Sequence, residues 1–182
     1  MQIIAYLFFL AYFFLPTFFA NGAPVVAKNI IFFSDWKAPI SEKYLGKNKT
    51  YRGLVVGILI AIIMSILQYF LTDFLFFRGV VFSYYHIVYS FPVALSIGFF
   101  QGFGALFGDI VKSFVKRKVG IKPGEAWPVI DGIDYVIGSL VCMTPFYIPT
   151  FFGIIFIVFI GPLSSLVANT IAYFLGWKDV WY

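Results

Sequence analysis

Residues 53–77 read GLVVGILIAIIMSILQYFLTDFLFF and carry no charged side chain before Asp73. An uncharged run of this length suits a transmembrane helix, because about 20 apolar residues cross the hydrocarbon core of a bilayer. The whole chain is similar in character: it is 62% hydrophobic and 23% aromatic, with a mean hydropathy of +0.94. These values far exceed those of soluble proteins and predict an all-α integral membrane protein.

Hydropathy divides the 182 residues into about five predicted transmembrane helices within one polytopic domain, residues 1–182. The predicted spans are residues 2–26, 53–77, 85–108, 129–149 and 150–177. The prolines between the last two spans can end a helix, and a single re-entrant hairpin is the alternative there. We expect the first run to be an uncleaved helix and not a signal peptide, because basic residues follow it instead of preceding it.

Basic residues are concentrated in two loops, about residues 27–52 and 109–128. Basic loops stay in the cytoplasm, which predicts an amino terminus outside and a cytoplasmic carboxyl terminus. The net charge of +5 is therefore interpreted as a signal of topology, and no nucleic-acid partner is expected. The basic residues of the two loops are Lys28, Lys37, Lys43, Lys47, Lys49 and Arg52, and Lys112, Lys116, Arg117, Lys118 and Lys122.

Carboxylates accompany these cations at the expected cytoplasmic edge. Asp109 follows the glycine-rich third span, and Asp131 and Asp134 share one helical face because they are three residues apart. A helix-capping role explains Asp131 alone. Three carboxylates at one interface repel unless a cation lies among them, and Mg²⁺ binds through carboxylates, water and substrate phosphates. The pattern predicts Asp109, Asp131 and Asp134 as metal ligands for a bound nucleotide.

Positive residues near these aspartates predict phosphate binding. If the third helix continues past Asp109, Lys112 and Lys116 follow on the same face. Lys49 and Arg52 open the second span, where free N–H groups can meet a phosphate, although Thr50 could be only a helix cap. The candidate catalytic residues are Asp109, Lys116, Asp131 and Asp134, and the candidate substrate-binding residues are Asn48, Lys49, Thr50, Arg52, Ser113, Lys116, Arg117 and Lys122.

Glycines in the third span occur in two pairs four residues apart. They are Gly98 and Gly102, and Gly104 and Gly108. Small residues at this spacing favour close packing between membrane helices. A glycine-lined cleft for a lipid is the alternative.

Two motifs resemble the membrane CTP transferases, the CDP-diacylglycerol synthases. Residues 113–134 follow their pattern S-x-x-K-R-x4-K and D-x-x-D, but Pro123 and Gly132 stand where that pattern has Asp and Arg. The loop of residues 46–53 and the segments of residues 108–118 and 131–134 are similar to the archaeal branch, the CDP-archaeol synthases. That branch carries G-x-N-K-T-x-R-G, G-D-x-x-x-S-F-x-K-R-R and D-x-x-D-F in short five-span proteins.

The resemblance implies transfer of CMP from CTP to 2,3-bis-O-(geranylgeranyl)-glycerol 1-phosphate, with Mg²⁺ as cofactor and membrane lipids as surroundings. The products would be CDP-archaeol and pyrophosphate. An ester-linked phosphatidate is the alternative substrate, since apolar pockets discriminate weakly among similar chains. The sequence leaves the lipid groove, the number of metal ions and the oligomeric state open.

Three other classes are less consistent with the residues. A CDP-alcohol phosphotransferase would open with D-G-x-x-A-R, whereas Tyr135 and Val136 follow Asp131-Gly132-Ile133-Asp134. A small ion or solute transporter would place carboxylates near the bilayer midplane, and these lie near a predicted edge. A non-enzymatic assembly subunit explains neither basic motif.

Overall fold

The computed structural model describes residues 2–29, 36–74, 90–122, 125, 127 and 129–177, and within them the protein is helical. The one pairing of extended backbone in this part of the chain is an isolated antiparallel bridge between Pro39 and Thr50. The helices are α1 (Gln2–Phe13), α2 (Leu15–Asn29), α3 (Glu42–Leu45), α4 (Tyr51–Phe74), α5 (Phe91–Lys118), α6 (Ile130–Met143) and α7 (Phe151–Phe174).

Among the described residues, four helical segments are long and apolar enough to cross a membrane, so the protein is a multi-pass membrane protein. They are Ile3–Ala27, which joins α1 and α2, and Tyr51–Thr72, Phe91–Lys118 and Phe151–Phe174. The fourth predicted span is the 14-residue helix α6, which is about 21 Å long and so shorter than the hydrocarbon core. The chain turns after Met143 at Thr144 and Pro145. The predicted loop between the second and third spans falls largely on residues 75–89, outside the described residues.

The first span bends between α1 and α2 at Phe14, two residues before Pro16. Proline has no N–H, so the carbonyl of Tyr12 four residues earlier loses its helical partner. The side-chain amide of Gln68 on α4 donates to that carbonyl. Backbone groups exposed inside a membrane need such replacements, because no water is present to satisfy them.

Gln101 on α5 closes the same bend from the other side. Its Nε2 donates to the carbonyl of Phe13 at 2.8 Å, and its Oε1 accepts from the backbone N of Thr17 at 3.2 Å. The hydroxyl of Thr17 also lies 3.0 Å from that Oε1 and 2.6 Å from the hydroxyl of Ser139 on α6. This buried network ties the first span to α5 and α6.

α5 is the central helix, with α4 packed on one side and α6 on the other. Gly98 and Gly102 lie against α4, and Gly104 and Gly108 lie against α6, which confirms the predicted close packing. A Cβ on Gly108 would collide with the backbone carbonyl of Asp134. The backbones of α5 and α6 are therefore in direct contact where the candidate carboxylates begin.

The sequence predicts that the third span ends at Gly108, but α5 continues to Lys118. The prediction that residues 109–128 form a loop is wrong for residues 109–118. Gly108 is retained within the helix because α6 occupies the space that a side chain would need, and the ion pair between Lys112 and Asp109 links successive turns. The conditional expectation that Lys112 and Lys116 share a face with Asp109 is met.

The segment before α4 folds back over the end of α5. The backbone N of Ile40 donates to the carbonyl of Lys49 at 2.8 Å, and that of Tyr51 donates to the carbonyl of Ala38 at 3.2 Å. Tyr44 of α3 lies against Phe114 of α5, with ring centroids 6.3 Å apart. This arrangement holds the start of α4 beside the charged end of α5.

Candidate active site

A lysine lies at the centre of the three predicted carboxylates. The Nζ of Lys112 is 2.9 Å from Oδ1 of Asp109, 3.1 Å from Oδ1 of Asp131 and 2.9 Å from Oδ2 of Asp134. Asp109 precedes Lys112 by one turn of α5, and the two other carboxylates occupy the first turns of α6. The sequence prediction that the three aspartates converge is confirmed by this geometry, and the shared partner is an ammonium group.

A second lysine reaches the cluster from the segment before α4. Lys49 forms a salt bridge with Asp109. The hydroxyl of Thr50 accepts a hydrogen bond from the backbone N of Gly53 at 3.1 Å. Thr50 therefore caps α4, and this cap holds the backbone next to Lys49 in place. The carboxylate of Asp109 therefore lies between cations from two different parts of the chain, Lys49 and Lys112.

A third lysine, Lys116, is buried and binds the outermost carboxylate. Its Nζ lies 3.1 Å from Oδ2 of Asp131 and donates to the backbone carbonyl of Glu125 at 2.6 Å. Asp131 also accepts from the backbone N of Trp127 at 2.6 Å. Asp131 thus orders the approach to α6, in line with a helix-start role, and joins the charged cluster as well.

The two carboxylates of α6 lie outside the four spanning segments and differ in their pKa. Burial raises the pKa of Asp131, but the hydrogen bond from the Trp127 N–H, the charge of Lys112 and the hydrogen bond from Lys116 outweigh it, so the pKa lies below its ordinary value. Burial raises the pKa of Asp134 to about 6, although Lys112 opposes the rise. Asp134 Oδ1 has no hydrogen-bond partner in the described chain. The negative charge of Asp134 is therefore less well stabilised than that of Asp131.

The three carboxylates of the cluster supply the oxygen donors that a hard divalent cation prefers. Within the described residues, no group of three or more histidine, cysteine or acidic side chains stands ready to hold a metal ion. The carboxylates of Asp109, Asp131 and Asp134 instead surround the Lys112 ammonium at 2.9–3.1 Å. Mg²⁺ prefers oxygen ligands at about 2.1 Å. The residues fit such an ion if the ammonium leaves and the carboxylates draw inward by about 0.8–1.0 Å.

Two cavities meet at Lys49. The larger has a volume of about 240 Å³ and lies among α2, α4, α5 and α7, with Asn21, Leu54 and Asn169 in its lining. The smaller has a volume of about 140 Å³ and is lined by Lys112, Lys116 and Arg117. Asn48 and Lys49 line both. The smaller cavity is thus strongly basic, and the larger one combines amides and apolar side chains with the carboxylates of Asp109 and Asp131.

The remaining predicted residues divide into those that border a cavity and those that do not. Ser113 lines the smaller cavity and donates to the carbonyl of Asp109 at 2.8 Å. Arg117 lines it too, and its Nε and Nη1 are buried with no hydrogen-bond partner in the described residues. Arg52 is buried and lines neither cavity. Lys122 is exposed and lines neither, so the structure does not bring it into the cluster.

Sequence reasoning missed several residues of the site. Lys112 shares a predicted helical face with Asp109 but is not among the candidate site residues, although its position one turn after Asp109 is a signal that the sequence offers. Asn21, Ser165 and Asn169 line the larger cavity from α2 and α7, and Asn21 donates to Ser165 at 2.9 Å. Polar residues within apolar helices were the available signal for these three.

Comparison with known proteins identifies the family. A family model described as "CarS-like: CDP-archaeol synthase" matches residues 2–182. The chain belongs to this family. It is 32% identical over 177 residues to a CDP-archaeol synthase of Thermococcus kodakarensis, covering 96% of this chain and 95% of the relative. It is 34% identical over 170 residues to a CDP-archaeol synthase of Methanocaldococcus jannaschii, covering 90% and 86% of the two chains.

A solved structure of an intramembrane enzyme for archaeal membrane lipids biosynthesis has the same fold. It superposes with a TM-score of 0.67 at 25% sequence identity and covers 87% of this chain and 90% of that chain. The chain thus matches the CDP-archaeol synthase family by sequence over nearly its full length and this intramembrane enzyme in its helical architecture.

Proposed function

We propose that the protein transfers CMP from CTP to 2,3-bis-O-(geranylgeranyl)-glycerol 1-phosphate, giving CDP-archaeol and pyrophosphate. Membership of the CDP-archaeol synthase family supports the substrates. The observation that carries the proposal is the convergence of three carboxylates with Lys49, Lys112 and Lys116 where α5 meets α6. Such a cluster suits chemistry in which phosphate charges must be neutralised and held in line.

In the proposed reaction, an oxygen of the lipid phosphate attacks the α-phosphorus of CTP. A new bond forms between that oxygen and the α-phosphorus, and the bond from the α-phosphorus to the oxygen bridging it to the β-phosphorus breaks. Pyrophosphate leaves with that bridging oxygen and the electron pair. The nucleophile is already an anion, so the protein's main tasks are alignment and charge neutralisation.

The basic cavity is the proposed site of the triphosphate. Lys116 and Arg117 line it beside Ser113, and a guanidinium can bind phosphate oxygens through two parallel hydrogen bonds. Two buried nitrogens of Arg117 have no hydrogen-bond partner among the described residues, which supports this role, because a buried donor without an acceptor is costly. Phosphate oxygens would supply the missing acceptors.

The larger cavity is the proposed site of the lipid head group. Its lining includes Asn21 and Asn169 as well as the apolar Leu54, Leu106 and Ile110. Its volume of about 240 Å³ suits a phosphoglycerol group, so the isoprenoid chains are expected to lie along the helices. Lys49 lines both cavities and pairs with Asp109, so with both substrates bound as proposed the two phosphates would lie on either side of one ammonium group.

Mg²⁺ is the proposed cofactor, with Asp109, Asp131 and Asp134 as its protein ligands. When bound, it would neutralise charge on the triphosphate and on the departing pyrophosphate. Oxygen donors of this type suit Mg²⁺, which commonly keeps water and substrate phosphates in the rest of its shell.

The proposed location is the cell membrane, with the active site on the cytoplasmic side. Basic residues flank the site on both chain segments that form it, including Lys47 and Lys118, and loops of this kind stay in the cytoplasm. A Lys47→Cys substitution in a Cys142→Ser background tests the orientation. A membrane-impermeant maleimide should label inverted vesicles and leave intact cells unlabelled, and the reverse pattern would contradict it.

The catalytic test is product formation followed by mass spectrometry. Purified protein in detergent receives Mg²⁺, CTP and either geranylgeranyl ether-lipid phosphate or diacyl phosphatidate. We expect a CDP-lipid from the ether substrate and its loss in Asp134→Asn. Product from the diacyl lipid alone would show that the substrate is a diacyl phosphatidate and not the ether lipid. If folded protein formed no CDP-lipid from either substrate, the proposed transferase activity would be rejected.

A further inference from the structure

We propose that Lys112 is a positioning residue that occupies the metal position before the metal arrives and is displaced from it on binding. This inference rests on the proposed function, since it concerns the cation at the same carboxylates. It goes further by giving a role to a lysine that neither the sequence pattern nor the proposed transfer requires.

The contacts of Lys112 match those of a bridging cation. A single Nζ lies within 3.1 Å of three different carboxylates on two helices. Ammonium groups on a protein surface ordinarily pair with one partner, whereas this side chain is only 12% exposed. The atom therefore marks the point at which the three negative charges are jointly compensated.

Without a cation at that point, the carboxylates would repel one another in a partly buried setting. Their helices cannot separate to relieve this repulsion without losing contact between Gly108 and the Asp134 backbone. A flexible lysine supplies the charge from within the chain and keeps Asp109, Asp131 and Asp134 oriented. The site is then ordered before substrate and metal bind.

A divalent ion carries twice the charge of the ammonium and so can displace it from the carboxylates. The displaced side chain can then enter the adjoining basic cavity. Lys112 lines the basic cavity of about 140 Å³ together with Lys116 and Arg117. Nucleotide phosphates in that cavity would receive the displaced ammonium. One side chain would thus neutralise carboxylates before binding and phosphates afterwards.

The test compares Mn²⁺ binding, by electron paramagnetic resonance of the free ion, in wild-type protein and Lys112→Met. Lys118→Met is the matched control, because Lys118 lies on the same helix against Phe114 and outside both cavities. Removing a competing positive charge should tighten Mn²⁺ binding by about tenfold, and the control should match the wild type. The melting temperature of Lys112→Met in EDTA should fall and recover with Mn²⁺.

The outcomes separate this inference from the proposed metal site. Equal or weaker Mn²⁺ binding in Lys112→Met, with binding intact in the wild type, overturns the role of Lys112 alone. No Mn²⁺ binding in the wild type overturns the metal site and this inference together. A merely structural role for Lys112 would weaken binding or leave it unchanged, so the direction of the change discriminates.

A second measurement uses the wild-type chain and so does not depend on the folding of a variant. Lysines are acetylated with an amine-reactive ester with and without Mg²⁺, and the modified peptides are quantified by mass spectrometry. Labelling of Lys112 relative to Lys118 should rise when Mg²⁺ alone is added. An unchanged ratio, under conditions in which Mn²⁺ binds, would overturn the displacement.

Discussion

Gly108 on α5 lies directly against the backbone carbonyl of Asp134 on α6, and no side chain fits between them. The contact brings the helix that carries Asp109 and Lys112 against the helix that carries Asp131 and Asp134. The packing of α5 against α6 therefore sets the positions of the site residues. We expect a change in this packing to alter the reaction rate.

A Gly108→Ala substitution should push α5 and α6 apart and separate the carboxylates. Overpacking of this kind costs about 1–3 kcal/mol, and we expect CDP-lipid formation to fall by at least about tenfold, because misplacement by 1 Å is costly in positioned catalysis. Initial rates and melting temperature in detergent measure the effect. Gly22→Ala is the matched control, since a Cβ at Gly22 meets nothing within 4 Å. Equal behaviour of the two variants would contradict the packing argument.

A Gln101→Leu substitution should destabilise the fold by removing the partner of the bend in the first span. The carbonyl of Phe13 and the N–H of Thr17 would lose their hydrogen bonds, at a cost of about 1–3 kcal/mol for each buried group left unpaired. Thermal unfolding in detergent checks this. Ser96→Ala on the same helix is the control, because Ser96 is only partly buried and its hydroxyl donates to the carbonyl of Pro92 within its own helix. A melting temperature as high as that of the control would show that the bend is satisfied in another way.

Arg117 should bind the nucleotide through its guanidinium geometry as well as its charge. Arg117→Lys keeps the charge but loses the planar pair of donors, and we expect the KM for CTP to rise by about tenfold, corresponding to a charged hydrogen bond worth roughly 1.5 kcal/mol. Lys122→Gln, which removes an exposed charge outside both cavities, should leave the KM for CTP within twofold. A larger effect at Lys122 than at Arg117 would restore the original prediction for Lys122.

Lys49 should matter to both substrates because it lines both cavities. Lys49→Met removes one of the two cations that pair with Asp109, and we expect kcat to fall by about 10- to 100-fold, as for a charge-assisted hydrogen bond worth roughly 1.5–3 kcal/mol. Steady-state kinetics with each substrate varied in turn measures the change. Lys47→Met, two residues away and exposed, should retain wild-type rates, so equal losses in both variants would count against a specific role.

Much of the fold could be predicted because long apolar runs and charged loops are strong signals in a membrane chain. The spacing of Asp131 and Asp134 predicted a shared helical face, and the glycine pairs predicted close packing of α5. The length of α6 could not be predicted, since hydropathy continues beyond Met143 into residues that turn. The role of Gln101 also could not, because its partners Phe13 and Thr17 are distant in sequence.

The charged cluster could be predicted in composition but not in arrangement. The sequence indicates which carboxylates lie near one another, and it does not reveal that an ammonium lies between them. That arrangement depends on α5 continuing through Gly108, which is decided by contact with α6 and not by local propensity. For the same reason, Lys122 could not be separated from Lys116 by spacing alone.

The most direct test of the account uses CTP labelled with ³²P at either the α- or the γ-phosphate, with the geranylgeranyl ether-lipid phosphate as acceptor. We expect the α label to appear in the lipid and the γ label in pyrophosphate, and we expect Asp134→Asn to lose both products. Label from the γ-phosphate in the lipid, or unchanged transfer in Asp134→Asn, would contradict it.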